Sequence, residues 1–308
     1  MLQVIISPAK QMQVRTDAFA PQGIPPFPGK TKRLLDALRN LERAQGAAGL
    51  KALWRVNDKL LAENIERLHA FEPVLDEGDL DDPAVARLVS PAAFSYLGIQ
   101  YRSMAPDVLD LDALDWLQNH LWILSGFYGC ARPFDAVAPY RLEMSARLAI
   151  DCARDLYGFW GGDIAEKIEK AGQEMGESEG DAGAGTAGER VGNGDESDDG
   201  VSGNVANNRT PCIVNLASVE YAKAVLPHLG SDTRIVTCIF GEELRNGKPV
   251  QRATASKIAR GSMVRWMAER RVEDVCELEC FDVGYACAPE LSTTDAAARE
   301  RTLVFMKR

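Results

Sequence analysis

Apolar positions recur at helical spacing through the first half of the chain. Between Thr31 and Ala44, Leu34, Leu35, Leu38 and Leu41 fall on one stripe, which predicts an amphipathic helix. The pattern resumes from Leu50 to Phe71 through Leu53, Val56, Leu60, Leu61, Ile65 and Leu68, with Asn57-Asp58 as a break. Asp112 is the predicted N-cap of a further helix carrying Leu114, Leu117, Leu121 and Leu124. Another helix is expected over 155–171, loosened by Gly161-Gly162.

The period then changes. CIVNLA (212–217), RIVTCIF (234–240) and TLVFMK (302–307) are short apolar runs of strand length, and FDVGYAC (281–287) is a weaker one. They are interrupted by a single helix, Ser256 to Arg271. Together with an opening strand at Val4–Ile6, they imply one α/β (mixed α+β) domain. Its central mixed sheet is built from both chain ends and covered by the helices of the first half. No internal repeat interrupts this plan.

From about 172 to 210 the periodicity disappears into Gly, Ser, Asn, Asp and Glu. Such a stretch buries too little apolar surface to offset its ordering entropy, so it reads as a disordered insertion within the 1–308 domain. It also changes the meaning of the net charge of −10. Between Glu174 and Asp199 lie nine acidic residues and one basic, so eight of those ten charges belong to the insertion. The folded part is near neutral and is free to present a basic face.

Hydrophobic content of 46% is ample for a core. No apolar run approaches the roughly 18 residues a membrane span needs, so a soluble protein with no membrane partner is expected. The seven cysteines follow no framework spacing, which suggests reduced thiols and a cytoplasmic location. Cys276, Cys280 and Cys287 form no CxxC pair, and the three histidines lie far from them in sequence. No metal site is expected, and no motif present demands a cofactor.

Four polar clusters remain as candidates for chemistry. Ser7-Pro8-Ala9-Lys10 follows the first strand, where α/β folds place ligand-binding groups, although Pro8 can simply end the strand. In SGFYGCARPFDAVAPYRLEM (125–144), Gly126 and Gly129 allow a tight reversal with open amides. There Arg132 and Arg141 flank Asp135 and Glu143, as a structural ion-pair cluster or as phosphate ligands with an acid/base beside them. Asn215 and Ser218 sit at a strand end, with Ser218 a candidate helix cap. The late helix carries Lys257 and Arg260, and Arg260-Gly261 leaves a gap in side-chain cover that another backbone can approach.

Together these clusters resemble the YaaA family of bacterial peroxide-stress-resistance proteins. The resemblance is carried by ISPAK (6–10), SGFYGCARPFDAVAPYRLEM (125–144) and LYGFWGGDI (156–164), with NLASVEYAKAV (215–225) and KIARGSMVRWM (257–267). It covers the whole chain apart from the insertion. It implies a DNA-binding protein that limits iron- and peroxide-driven damage, with an α/β fold, a positively charged cleft and a helix–hairpin–helix element. Tyr96 to Met104 and Leu124 to Gly129 are the two segments able to supply that hairpin.

On this reading Lys10, Arg132, Arg141, Lys257 and Arg260 line the cleft and contact DNA phosphates without sequence preference. Ser7, Gly126, Gly129, Asn215 and Ser218 complete the phosphate-binding set. The alternative is an enzyme acting on a small nucleobase-like ligand, with Glu143 as acid/base and Asp135 or Asp163 as its partner.

Overall fold

The computed structural model describes residues 1–15, 17, 19–182, 211–297 and 299–308. Its centre is an eight-stranded sheet: β1 (Leu2–Ile6), β2 (Leu121–Ser125), β3 (Gly129–Ala131), β4 (Cys212–Asn215), β5 (Arg234–Gly241), β6 (Tyr285–Cys287), β7 (Thr293–Asp295) and β8 (Glu300–Lys307). The order across the sheet is β6-β8-β5-β4-β1-β2-β3, with β7 pairing off β8. The five middle strands, β8, β5, β4, β1 and β2, all run parallel. The edges turn antiparallel, β6 against β8 and β3 against β2. This is the mixed sheet expected from the sequence, assembled from both ends of the chain and covered by helices.

β1 lies between β2 and β4, with Val4 opposite Leu121 on one side and Val214 on the other. All five of its residues are buried, as parallel strands covered on both faces require. β2 is equally buried, and it corrects the sequence reading that ran a helix through Leu121 and Leu124. The helical spacing of the leucines is real as far as Leu117, but LWILS is a continuous apolar run that the centre of the sheet absorbs. The N-cap also moves. Asp110, not Asp112, accepts the Ala113 amide at 2.8 Å, and Asp112 instead pairs with Arg271.

Among the described residues, six α-helices of six or more residues surround the sheet: α1 (Pro28–Trp54), α2 (Asp58–Ala70), α3 (Ile99–Met104), α4 (Leu111–His120), α5 (Asp163–Ala182) and α6 (Ala253–Arg270). α1 is longer than predicted and kinks at Gly46, where φ is 64°. The break at Asn57 is where the sequence puts it, since the Asn57 side chain caps α2 through the Leu60 amide at 3.0 Å. The helix expected over 155–171 is two, Leu156–Trp160 and α5, parted by the positive φ of Gly161. α5 continues to Ala182, because 172–182 contains no proline and several good helix formers. The remainder of the predicted insertion, 183–210, lies outside the described residues.

Trp122, Trp160, Phe127, Phe240, Phe281 and Phe305 are among the largest fully buried side chains. Each contributes roughly 1.5–3 kcal/mol or more of transfer free energy. All seven cysteines are free thiols, and burial pushes Cys212 up to about 11 and Cys238 up to about 12. Cys130, also buried, is raised further still.

α6 packs on α3 so closely that a Cβ on Gly261 would stand 2.0 Å from the Gln100 carbonyl oxygen. The gap in side-chain cover beside Arg260 is therefore closed by this chain's own backbone. Gly261→Ala is expected to cost about 1–3 kcal/mol through overpacking. Urea unfolding checks this as a lower midpoint at unchanged m-value.

A basic cleft at the carboxyl ends of the parallel strands

Because the middle strands run in parallel, the residues that follow them gather at one sheet end, where open α/β sheets place ligands. Ser7 follows β1, and Ser218 lies just beyond β4. The Ser218 amide donates to Ser7 Oγ at 2.8 Å, and the two hydroxyls lie 3.1 Å apart. The Ser7 carbonyl accepts from Gln100 Nε2 at 3.1 Å and from the Tyr101 hydroxyl at 3.0 Å. One residue thus ties the sheet to α3 and to the turn after β4.

These residues form one wall of a cleft of about 1030 Å³. Seven of the sequence-predicted residues line it: Ser7, Lys10, Arg141, Glu143, Ser218, Lys257 and Arg260. They come from four separate stretches of sequence, so the clusters do converge. Arg55 and Arg67 also line the cleft, and sequence reasoning missed both. Arg55 sits in a left-handed conformation at the end of α1, and Arg67 looks in sequence like half of an ordinary i,i+4 pair with Glu63.

Six cations therefore face three carboxylates, Glu63, Glu143 and Glu220. Each carboxylate already has a partner. Glu63 pairs with Arg67, and Glu220 accepts the Ser145 amide at 2.9 Å. Glu143 receives Lys10 Nζ at 3.1 Å and also the Arg141 guanidinium. Arg141 is held from the other side by the Lys10 carbonyl, 3.2 Å from its Nη1.

Arg260 differs from the other cations. Burial lowers its pKa, and its buried Nε, like that of Arg141, has no hydrogen-bond partner. Among the described residues no carboxylate pairs with it. A desolvated guanidinium in that condition is costly unless an anion joins it.

The other sequence candidates lie elsewhere. The Gly126–Gly129 turn is buried, not an open phosphate cradle, because Ser125 Oγ already accepts the Phe127 and Tyr128 amides at 3.1 and 2.9 Å. A Cβ on Gly126 would stand 2.7 Å from the Leu142 carbonyl, and Gly129 has φ of 77° against the Trp160 ring. That turn joins two antiparallel strands, so Leu124–Gly129 is a β-hairpin. Asn215 is buried beneath the cleft, its Oδ1 accepting the Ala217 amide at 3.0 Å.

Arg132 and Asp135 follow β3, which runs back from the cleft, so they sit at the opposite end of the sheet. Arg132 stacks 3.7 Å over Trp122 and donates to the Asn119 carbonyl at 2.8 Å. Asp163 pairs with Lys30 at the start of α5. Neither Asp135 nor Asp163 lines the cleft beside Glu143.

Asp135 accepts the Arg132 amide at 2.7 Å. Burial raises its carboxyl from 3.8 to about 7, against the opposing pull of that amide and of Arg132 and Lys167. Among the described residues no three His, Cys, Asp or Glu side chains gather as metal ligands, and no helix is long and apolar enough to cross a membrane.

The raised Asp135 carboxyl fixes a pH dependence. Between about pH 4 and 7 the native state keeps a proton that the unfolded chain has lost, so this group's contribution to stability declines as pH rises through that window. Asp135→Asn, which keeps the acceptor for Arg132, is expected to remove that decline. Denaturant titrations at pH 5 and pH 8 measure it.

A family model described as "Peroxide stress protein YaaA" matches residues 2–180 and 197–291. A UPF0246 protein of Pediococcus pentosaceus is 38% identical over 295 residues, 96% of each chain. One from Lachnoclostridium phytofermentans is 34% identical over 306 residues, 99% of this chain and 96% of its own. A third, from Lactobacillus delbrueckii, is 38% identical over 296 residues, covering 96% of this chain and 97% of its own. With the matched stretches supplying four of the five parallel strands and the walls of the cleft, the chain belongs to the YaaA family of peroxide stress proteins.

Proposed function

We propose that this peroxide stress protein binds DNA through the cleft, without sequence preference, and that this contact helps limit iron- and peroxide-driven damage. The observation that carries the reading is the surplus of cations, above all the desolvated, unpaired Arg260. Phosphodiesters are the abundant anions that a row of spaced cations suits, and contacts to them position a duplex without reading its bases. Lys10, Arg141, Lys257 and Arg260 would take the phosphates, with Ser7 and Ser218 offering hydroxyls between them.

The hairpin role falls to Tyr96-Leu97-Gly98. This stretch connects a short helix at Ala92–Ser95 to α3, and Leu97 and Gly98 line the cleft. A nucleobase-processing enzyme is less well supported. Asp135 and Asp163, the partners named for Glu143, stand outside the cleft, and the remaining cleft carboxylates are engaged.

Binding of a short fluorescent duplex, followed by anisotropy across a salt series, tests the proposal. Affinity should fall linearly on logarithmic axes with added salt. Lys257→Ala and Arg260→Ala should each weaken binding equally across sequences and flatten the slope by about 0.9. Arg132→Gln, at the far end of the sheet, should leave the slope alone. No detectable binding at low ionic strength would overturn the reading.

A further inference from the structure

The geometry points to Glu143 as a resident anion. We infer that its carboxylate occupies the phosphate seat between Lys10 and Arg141, and that a nucleic-acid phosphate enters this seat only by displacing it. The inference rests on the DNA-binding reading and adds a residue that sets its selectivity.

Four observations support it. Among the described residues, Glu143 is the only cleft carboxylate shared by two cleft cations, Lys10 at 3.1 Å and Arg141 beside it. The seat itself does not depend on Glu143, since the Lys10 carbonyl already holds the Arg141 guanidinium at 3.2 Å. Lys10 is mostly exposed, with 67% of its side-chain surface open, so its ammonium can follow an incoming phosphate. Arg141 also keeps a buried Nε without a partner, so Glu143 leaves its guanidinium incompletely satisfied.

The consequence is discrimination by charge density. A lone phosphate ion must replace two charge-assisted hydrogen bonds of an internal carboxylate whose local concentration is high. A polyanion is held meanwhile by Arg55, Arg67, Lys257 and Arg260, so its next phosphate competes as an intramolecular group. Glu143 therefore excludes small anions while permitting long ones.

Glu143→Gln keeps the shape of the side chain and removes its charge. Duplex affinity should rise about 3- to 10-fold, because a phosphate no longer has to displace a carboxylate from the seat. Competition by inorganic phosphate should strengthen by a larger factor than duplex binding does. An unchanged or weaker duplex affinity in Glu143→Gln, with wild-type binding intact, would sink the inference and leave the DNA reading standing. Absence of binding in the wild type sinks both.

Should Glu143→Gln lose its native melting transition, Glu143→Asp serves in its place. It keeps the charge but shortens its reach to Lys10. A rise in affinity supports the resident-anion role, and no rise counts against it.

Discussion

The structure depends on β1 being hydrogen-bonded along both edges by strands distant in sequence. Each residue from Leu2 to Ile6 is buried, so every backbone group there must be paired within the sheet. β2 and β4 meet that demand from the two halves of the chain. Parallel pairing then fixes the polarity of the middle strands, which brings Ser7, Ser218 and the start of α6 to one end. The cleft follows from strand direction, and no separate binding domain is needed.

Two close contacts give the cleft its shape. Gly261 lets α6 approach Gln100, which keeps α3 pressed over the end of β1, where Gln100 and Tyr101 hold the Ser7 carbonyl. Gly126 lets the β2–β3 turn lie against residues 142–144, which places Arg141 and Glu143 on the cleft wall. Both glycines serve packing behind the cleft, and the charges are mounted on that packing. A fold that is acidic overall can thus concentrate positive potential where strand ends collect it.

Much of this was legible in the sequence. Apolar runs identified β1, β4, β5 and β8, and the polar residues after the first two of these proved to be neighbours. Three things were not legible. β2 carries leucines in phase with the preceding helix, so periodicity could not mark where helix became strand. Arg55 and Arg67 reach the cleft through the hairpin of α1 and α2, a tertiary event that local pattern does not encode. The 125–144 stretch misled because glycines able to expose amides are equally able to admit a neighbouring backbone, and only packing decides between these uses. The same stretch supplies Arg141 and Glu143 to the cleft while Arg132 and Asp135 end at the opposite edge, because β3 reverses direction between them.

The buried thiols carry one more implication. Peroxide attacks the thiolate, and a thiol held protonated reacts poorly. Burial holds Cys130, Cys212 and Cys238 in that protonated form, and Cys276 and Cys287 are shifted the same way by partial burial and neighbouring acids. In a family named for peroxide stress, five of the seven cysteine thiols are therefore held toward the form that peroxide attacks slowly, a chemical retirement set by their surroundings.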